Sequence, residues 1–200
     1  MTSTRTTATL LSTLGLAAAC WVVASRQMSG MDMGTETELG SLAFFTAAWV
    51  PMMAAMMLPG TLPAVSRLRG SILAAPFFAV SYLAVWVLVG LLVYALYEPH
   101  GTTVAGVLTI AAGLYELTPL KRECRRRCLA SQQSGFQFGV YCVGSSIGLM
   151  VMLVALGVMS VAWMAIVAAL VLLQKLLPPR VWLDLPVALA IVTLGIVILT

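Results

Sequence analysis

The sequence predicts an all-α membrane protein, a polytopic helix bundle with about seven transmembrane helices in a single domain over residues 1–200. Hydrophobic residues make up 61% of the chain and charged residues 9%, so a soluble fold could not bury the apolar surface and stay wettable. The mean hydropathy of +1.02 points the same way. The net charge of +4 would suggest nucleic acid binding in a soluble protein. Here the basic residues lie in short loops, so we expect the lipid bilayer as partner and no nucleic acid.

Apolar runs bounded by prolines, glycines or charged loops define seven predicted helices. They cover residues 7–24, 42–58, 72–97, 103–117, 136–156, 161–177 and 185–199. The first run is longer than the usual hydrophobic region of a signal peptide, so we interpret it as a spanning helix. The fourth run is short for a span, and we expect it to continue into the basic segment after it or to pack inside the bundle.

Basic residues set the predicted orientation. With the amino terminus in the cytoplasm, ten of the eleven basic residues face the cytoplasm and only Arg26 faces out. The ten are Arg5, Arg67, Arg69, Lys121, Arg122, Arg125, Arg126, Arg127, Lys175 and Arg180. We therefore expect an integral protein of the cell membrane with a cytoplasmic amino terminus and an outside carboxyl terminus.

The segment from residue 49 to 63, WVPMMAAMMLPGTLP, is rich in methionine and proline. Its four methionines are Met52, Met53, Met56 and Met57. Helical spacing brings several of the thioethers together, and thioethers are soft ligands that suit Cu(I). The alternative is packing, because methionine also fills irregular gaps between helices. A metal site would need a cysteine or histidine nearby.

A second group of methionines follows the first helix, in the loop SRQMSGMDMGTETELGS. It contains Met28, Met31 and Met33 next to three acidic residues. Methionine beside acid in an exposed loop can collect copper. Most loops of this kind are simply solvated, and we expect that here.

The basic segment KRECRRRC contains Cys124 and Cys128. At a spacing of four residues the two thiols lie on one helical face, and the arginines between them favour the reactive thiolate. This spacing can chelate a soft cation, but two thiols in a reducing compartment are as often inert. The arginines have an alternative role, which is to anchor the segment to anionic lipid headgroups.

Two further features lie close to this segment. Glu116 ends the fourth predicted helix, and an ion pair with Lys121 or Arg122 is expected because an unpaired carboxylate in hydrocarbon is costly. The fifth predicted helix carries a stripe of small and polar residues typical of close helix packing. Cys142 lies in this stripe, roughly 9 Å from its start at 1.5 Å per residue. Met56 and Met57 of the second helix reach about the same level, so we expect methionine and cysteine to meet in the inner half of the bilayer. A copper site here would need Met52, Met56 and Cys142 within a few ångströms of one another.

Several motifs together resemble a bacterial family of predicted metal-binding integral membrane proteins, a domain of unknown function. The matching positions are Trp49, Met52, Met53, Ala55, Met56, Met57, Leu58, Pro59, Pro63, Gly113, Leu114, Tyr115, Thr118, Pro119, Leu120, Lys121, Cys124, Cys128, Tyr141, Cys142, Gly144, Leu149, Met150, Gly157, Val158, Met159, Lys175 and Leu176. The resemblance implies a metal-handling role in the bacterial inner membrane.

The chain departs from the family pattern where the resemblance implies ligands. The resemblance implies that family members carry histidine where this chain has Phe138 and a Cys-Cys-Trp run where it has residues 145–147. It also implies asparagine at the position of Ser160 and glutamate at the position of Gln174. Each replacement removes a ligand or an ionisable group. A thiol-to-hydroxyl exchange keeps the packing but loses affinity for soft metals.

Two functions fit the sequence. The first is soft-metal binding or delivery, most plausibly of copper, through Met52, Met53, Met56, Met57 and Cys142, with Cys124 and Cys128 at the cytoplasmic exit. The second is a scaffold or accessory subunit of a membrane complex that has lost the metal site. Either function implies a membrane or soluble protein partner. We expect no enzyme, because the sequence contains no carboxylate pair, no nucleophile with its base and no nucleotide loop.

Overall fold

A computed structural model describes residues 2–29, 39–66, 74–130, 134–177 and 181–200. All regular secondary structure in these residues is helical. The helices are α1 (Thr2–Met28), α2 (Leu42–Met57), a 3-10 turn (Pro59–Thr61), α3 (Leu62–Val65), α4 (Ala74–Leu96), α5 (Thr102–Glu116), α6 (Pro119–Ala130), α7 (Gly135–Gly157), α8 (Val161–Leu176) and α9 (Val181–Leu199). The prediction of an all-α fold is confirmed for the described part of the chain.

Each of the seven predicted ranges falls on one helix, and the structure adds α3 and α6 between them. The basic segment KRECRRRC is therefore a helix rather than a loop. It follows α5 after a bend of 64° that precedes Pro119, because proline cannot continue the hydrogen-bond ladder of the helix before it. A bend of 43° separates α2 from the short turn and helix that begin at Pro59.

The number of membrane spans differs from the prediction of seven. In the part of the chain that the structure describes, three helices are long and apolar enough to cross a membrane by length and composition, namely Leu10–Met28, Ala74–Leu96 and Gly135–Gly157. The count rises to five when each bent pair is taken as one span. The apolar parts of α8 and α9, Val161–Leu176 and Asp184–Leu199, are shorter than the roughly 20 residues that a span needs. The hydropathy of these two segments did not reveal that they are too short to cross a bilayer.

The helix α7 is the centre of one half of the molecule, where it packs against α4, α5, α6 and α8. The other half is built around α2, which packs against α1, α4 and α8. The closest helix pair is α5 with α9. Both helices therefore pack against α4 and α8, while α1 packs on α2 and α5 and α6 pack on α7.

Glycines allow several of these helices to approach closely. An added Cβ at Gly148 of α7 would lie 3.0 Å from the carbonyl oxygen of Ala112 in α5. At Gly144 it would lie 2.6 Å from Sγ of Cys124 in α6. The predicted role of this stripe in close packing is confirmed. At the end of α7, Gly157 has a φ of 130°, which side chains rarely adopt, and it turns the chain into Met159.

Candidate metal centre

The four methionines of α2 are all enclosed by protein. Met52, Met53, Met56 and Met57 have exposed fractions of 1%, 1%, 2% and 0%. The whole segment 52–57 of α2 is buried around the helix, so its burial does not single out a methionine face. This burial fits both interpretations of the methionines, and which of them bind metal stays a prediction.

Met28 does not lie in a solvated loop, as the sequence suggested. The helix α1 continues to this residue, and its side chain is 2% exposed. Met31 and Met33 lie outside the described residues. The prediction was wrong for Met28 because the polar residues after residue 25 suggested a loop. In the structure they form the end of a helix that packs against α2.

Two cysteines from neighbouring helices meet between α6 and α7. The thiols of Cys128 and Cys142 are close enough to interact, and both side chains are buried. Cys128 donates to the carbonyl oxygen of Phe138 at 3.9 Å. Cys124 lies one helical turn before Cys128 and packs against Gly144. The thiol pair, as we call Cys128 and Cys142, brings together two predicted ligands from α6 and α7.

A tyrosine hydroxyl and a lysine ammonium adjoin the thiol pair. The hydroxyl oxygen of Tyr82 lies 3.2 Å from Sγ of Cys142. Nζ of Lys175 donates to the same hydroxyl at 3.4 Å, so this hydroxyl links the ammonium to the Cys142 thiol. This ammonium lies 5.7 Å from the ring centre of Tyr82 and 5.6 Å from that of Phe138. A buried cation thus lies in an aromatic cage beside the thiols.

The room for Lys175 comes from the end of the methionine segment. An added Cβ at Gly60 would lie 2.8 Å from Nζ of Lys175. Any larger residue at this position would therefore displace the ammonium. The turn that follows α2 is in this way coupled sterically to the thiol pair.

A network of buried charges fixes α6 against the rest of the bundle. Lys121 pairs with Glu116 and lies 3.8 Å from Asp184 of α9. Arg125 pairs with the same aspartate at 2.9 Å and donates to the carbonyl of Leu177 at 2.9 Å. The two acids and two bases balance, as buried charges must. The predicted pair of Glu116 with Lys121 is confirmed.

Gln174 extends this network into α8. Its Nε2 donates to Oε2 of Glu116 at 2.6 Å. The second carboxylate oxygens of Glu116 and of Asp184 are buried and have no hydrogen-bond partner in the described residues. One carboxylate oxygen of Glu116 and one of Asp184 therefore take part in the network, and the other oxygen of each does not.

The arginines of α6 do not act together. Arg125 is buried in the network, whereas Arg127 is exposed and pairs with Glu123 at 2.8 Å. Headgroup anchoring is therefore wrong for Arg125, whose guanidinium is committed to Asp184. The cation beside the Cys142 thiol is Lys175, from another helix.

The structure separates Met52 from the thiol pair. Met52 lines a small void together with Met28 and Met159. Met159 follows the far end of α7, and the fifteen residues from Cys142 to Gly157 span about 22 Å along that helix. Met52 therefore lies toward the other end of α7 from the thiol pair. The expectation that Met56 and Met57 share a level with Cys142 stays a prediction.

Sequence reasoning did not identify Tyr82 or Lys175 as part of the site. Lys175 was counted as a cytoplasmic topology signal, yet it is 9% exposed. A lysine inside an apolar run, three residues before two prolines, was the available signal. No group of three or more histidine, cysteine or acidic side chains is arranged for metal in the described ranges, so the thiol pair offers two protein ligands.

The comparison with family models decides the class of protein. Residues 46–198 match the model of PpoB2, described as a copper chaperone. The chain belongs to the PpoB2 copper chaperone family. The matched range contains the methionine segment, all residues of the thiol pair and its surroundings, and the charge network, but it excludes α1.

The family assignment confirms that the metal-related resemblance is a copper-related one. The ligand positions that the resemblance described as substituted stay predictions. No curated protein and no solved structure matches this PpoB2 family member. Its site is therefore argued from its own contacts.

Proposed function

We propose that this PpoB2 family member binds Cu(I) within a membrane and delivers it to a protein partner, with Cys128 and Cys142 as the holding ligands. The observation that carries the proposal is the pair of neighbouring buried thiols, with the Tyr82 hydroxyl and the Lys175 ammonium beside Cys142. Soft thiolates are the ligands that select Cu(I). Two ligands from facing helices can hold the ion in a two-coordinate arrangement.

Charge balance explains why a lysine is buried here. Cu(I) bound to two thiolates carries a net charge of −1, which is costly to bury in a membrane. The Lys175 ammonium supplies one positive charge beside the Cys142 thiol, since it is bonded to the Tyr82 hydroxyl that contacts the same sulfur. The loaded site is then neutral overall. Binding releases the two thiol protons, so loading is expected to weaken as the pH falls.

Delivery would follow from the position of Cys124. It lies one helical turn from Cys128 on the same face of α6, at the edge of the buried region. An ion can pass between thiols by ligand exchange, in which a new sulfur binds before an old one leaves. Cys124 is suited to be the thiol that passes copper toward a partner.

An accessory subunit remains the second candidate function, because two of the substituted positions are well accommodated as they are. Phe138 packs with Phe78 and Tyr82 at ring-centre distances of 5.5 Å. Gln174 is hydrogen-bonded to Glu116. Neither position shows the unsatisfied packing that a recently lost ligand would leave.

Copper analysis of detergent-purified protein under reducing conditions tests the proposal. We expect one Cu(I) in the parent protein to be lost in Cys128→Ser and in Cys142→Ser, while Cys20→Ser, in α1, serves as the matched control and keeps it. Ser145→Cys with Ser146→Cys adds thiols within one turn of Cys142 and should raise the copper content. A parent without copper at the thiol pair, together with a copper-binding Ser→Cys variant, would favour the accessory subunit.

A further inference from the structure

A small void at the other end of α7 is lined by three methionines. Met28 comes from the end of α1, Met52 from the middle of α2 and Met159 from the turn after α7. Their exposed fractions are 2%, 1% and 3%. The remaining lining residues are Phe45, Ala48, Trp49 and Val158. Three methionine side chains from three separate segments therefore line one void, and no thiol, carboxylate or imidazole is present in the lining.

The dimensions of this void suit a bare metal ion better than a water molecule. The void is too small to hold water. Atoms in packing contact lie about 3.5–4.0 Å apart, so the centre of three touching sulfurs is about 2.0–2.3 Å from each. Metal–sulfur bonds have about this length, near 2.3 Å in zinc sites. An ion can enter between such thioethers without a cavity opening first.

Aromatic rings take the place of a counter-charge. Thioethers are neutral, so a bound Cu(I) keeps its charge of +1. Trp49 and Phe45 both line the void and stack with ring centres 5.3 Å apart. Indole faces attract cations, most strongly when these are desolvated. The Trp49 indole is held in place by a 2.8 Å hydrogen bond from Nε1 to the carbonyl oxygen of Trp86.

We propose that Met28, Met52 and Met159 form a second Cu(I) site, built from thioethers alone, which loads the chaperone at the end of α7 opposite the thiol pair. The proposal rests on the proposed function for the identity of the metal. The two sites are separate because about 22 Å of helix lies between Cys142 and the end of α7. With the predicted orientation, the thioether site faces the outside of the cell.

A thiol-free variant tests the thioether site in the full-length protein. All four cysteines are replaced by serine, and Cu(I) binding is measured in detergent by competition with a colorimetric Cu(I) chelator. We expect this variant to keep one Cu(I) equivalent. Adding Met28→Leu, Met52→Leu or Met159→Leu should weaken it by at least about tenfold, the scale of supporting changes at metal sites. Met164→Leu, a fully buried methionine outside the void, is the control and should have no effect.

Three outcomes would overturn the thioether site. The first is a thiol-free variant that binds no Cu(I), and the second is a Met52→Leu variant that behaves like Met164→Leu. Failure of the thiol pair is distinguishable, because Cys142→Ser would then bind as many Cu(I) equivalents as the parent, whereas loss of a working thiol pair leaves only the equivalent at the thioether site. X-ray absorption on the thiol-free variant should show sulfur neighbours only. Nitrogen or oxygen neighbours alone would also exclude the site, and circular dichroism confirms that each variant is folded.

Discussion

The two ends of α7 differ in how they would bury the same cation. At the thiol pair, two anionic ligands are balanced by the Lys175 ammonium. At the thioether site, neutral ligands leave the charge of the ion to the rings of Trp49 and Phe45. Binding by two thiolates is expected to be tight and to weaken as the pH falls, because the thiols must lose their protons. Binding by thioethers is expected to be weaker and independent of pH. A chaperone that collects copper at one end and holds it at the other needs this order of affinity.

The two ends also differ in what supports them. The thiol pair depends on α6, which is held to α5 and α9 by the charge network. The thioether site is held by apolar packing of α1 on α2. Variants that disturb α6 should therefore affect the thiol pair and leave the thioether site intact.

The largest effect is expected for Lys121→Met, which leaves Glu116 buried without its partner. Breaking such a pair costs about 3–5 kcal/mol. Thermal unfolding in detergent should show this loss, and copper at the thiol pair should fall with it. Glu116→Gln in the same chain should restore part of the stability. The exposed Arg127→Met is the control, and equal losses in both variants would contradict the role of the network.

A smaller effect is expected for Gly144→Leu. The new side chain would collide with Cys124. Overpacking of this kind costs about 1–3 kcal/mol. Gly15→Leu is the matched control, because an added Cβ at Gly15 meets nothing within 4 Å. Unfolding temperatures of the two variants should differ, and copper transfer to an acceptor thiol should slow only in Gly144→Leu. Similar unfolding temperatures would speak against close packing of α6 on α7.

Tyr82→Phe should cost about 0.5–1.5 kcal/mol, because it removes one hydroxyl that bonds both Cys142 and Lys175. Copper competition should report weaker binding at the thiol pair. Tyr94→Phe, which removes a hydrogen bond to the Gly40 carbonyl, is the control. If both variants bind copper like the parent, Tyr82 is not part of the site.

The smallest effect is expected for Met56→Leu with Met57→Leu, since the exchange nearly conserves volume and should cost under about 1.5 kcal/mol. Both ends of α7 stay intact in this variant. Metal analysis should find copper lowered in part at most. Complete loss would identify the middle methionines as the main ligands, and the description of two separate ends would then be wrong.

The sequence by itself determined the local features of this protein. Hydropathy and prolines predicted the seven long apolar helices, and the four-residue spacing of Cys124 and Cys128 predicted their common face. The small residues around Gly144 predicted close packing, and Glu116 predicted its ion pair with Lys121. Each of these depends on residues within a few turns of one another, where helical periodicity fixes the geometry.

Only the tertiary structure decided which helices are neighbours. Met28 and Met159 are far apart in the sequence, as are Tyr82 and Lys175, and no periodicity within one helix indicates that they meet. The bends before Pro119 and at Pro59, and the short apolar parts of α8 and α9, likewise changed the count of possible spans. The helices of this bundle contact one another through glycines, methionines and buried charges whose partners lie on a neighbouring helix. Their partners are therefore defined only once the helices are packed.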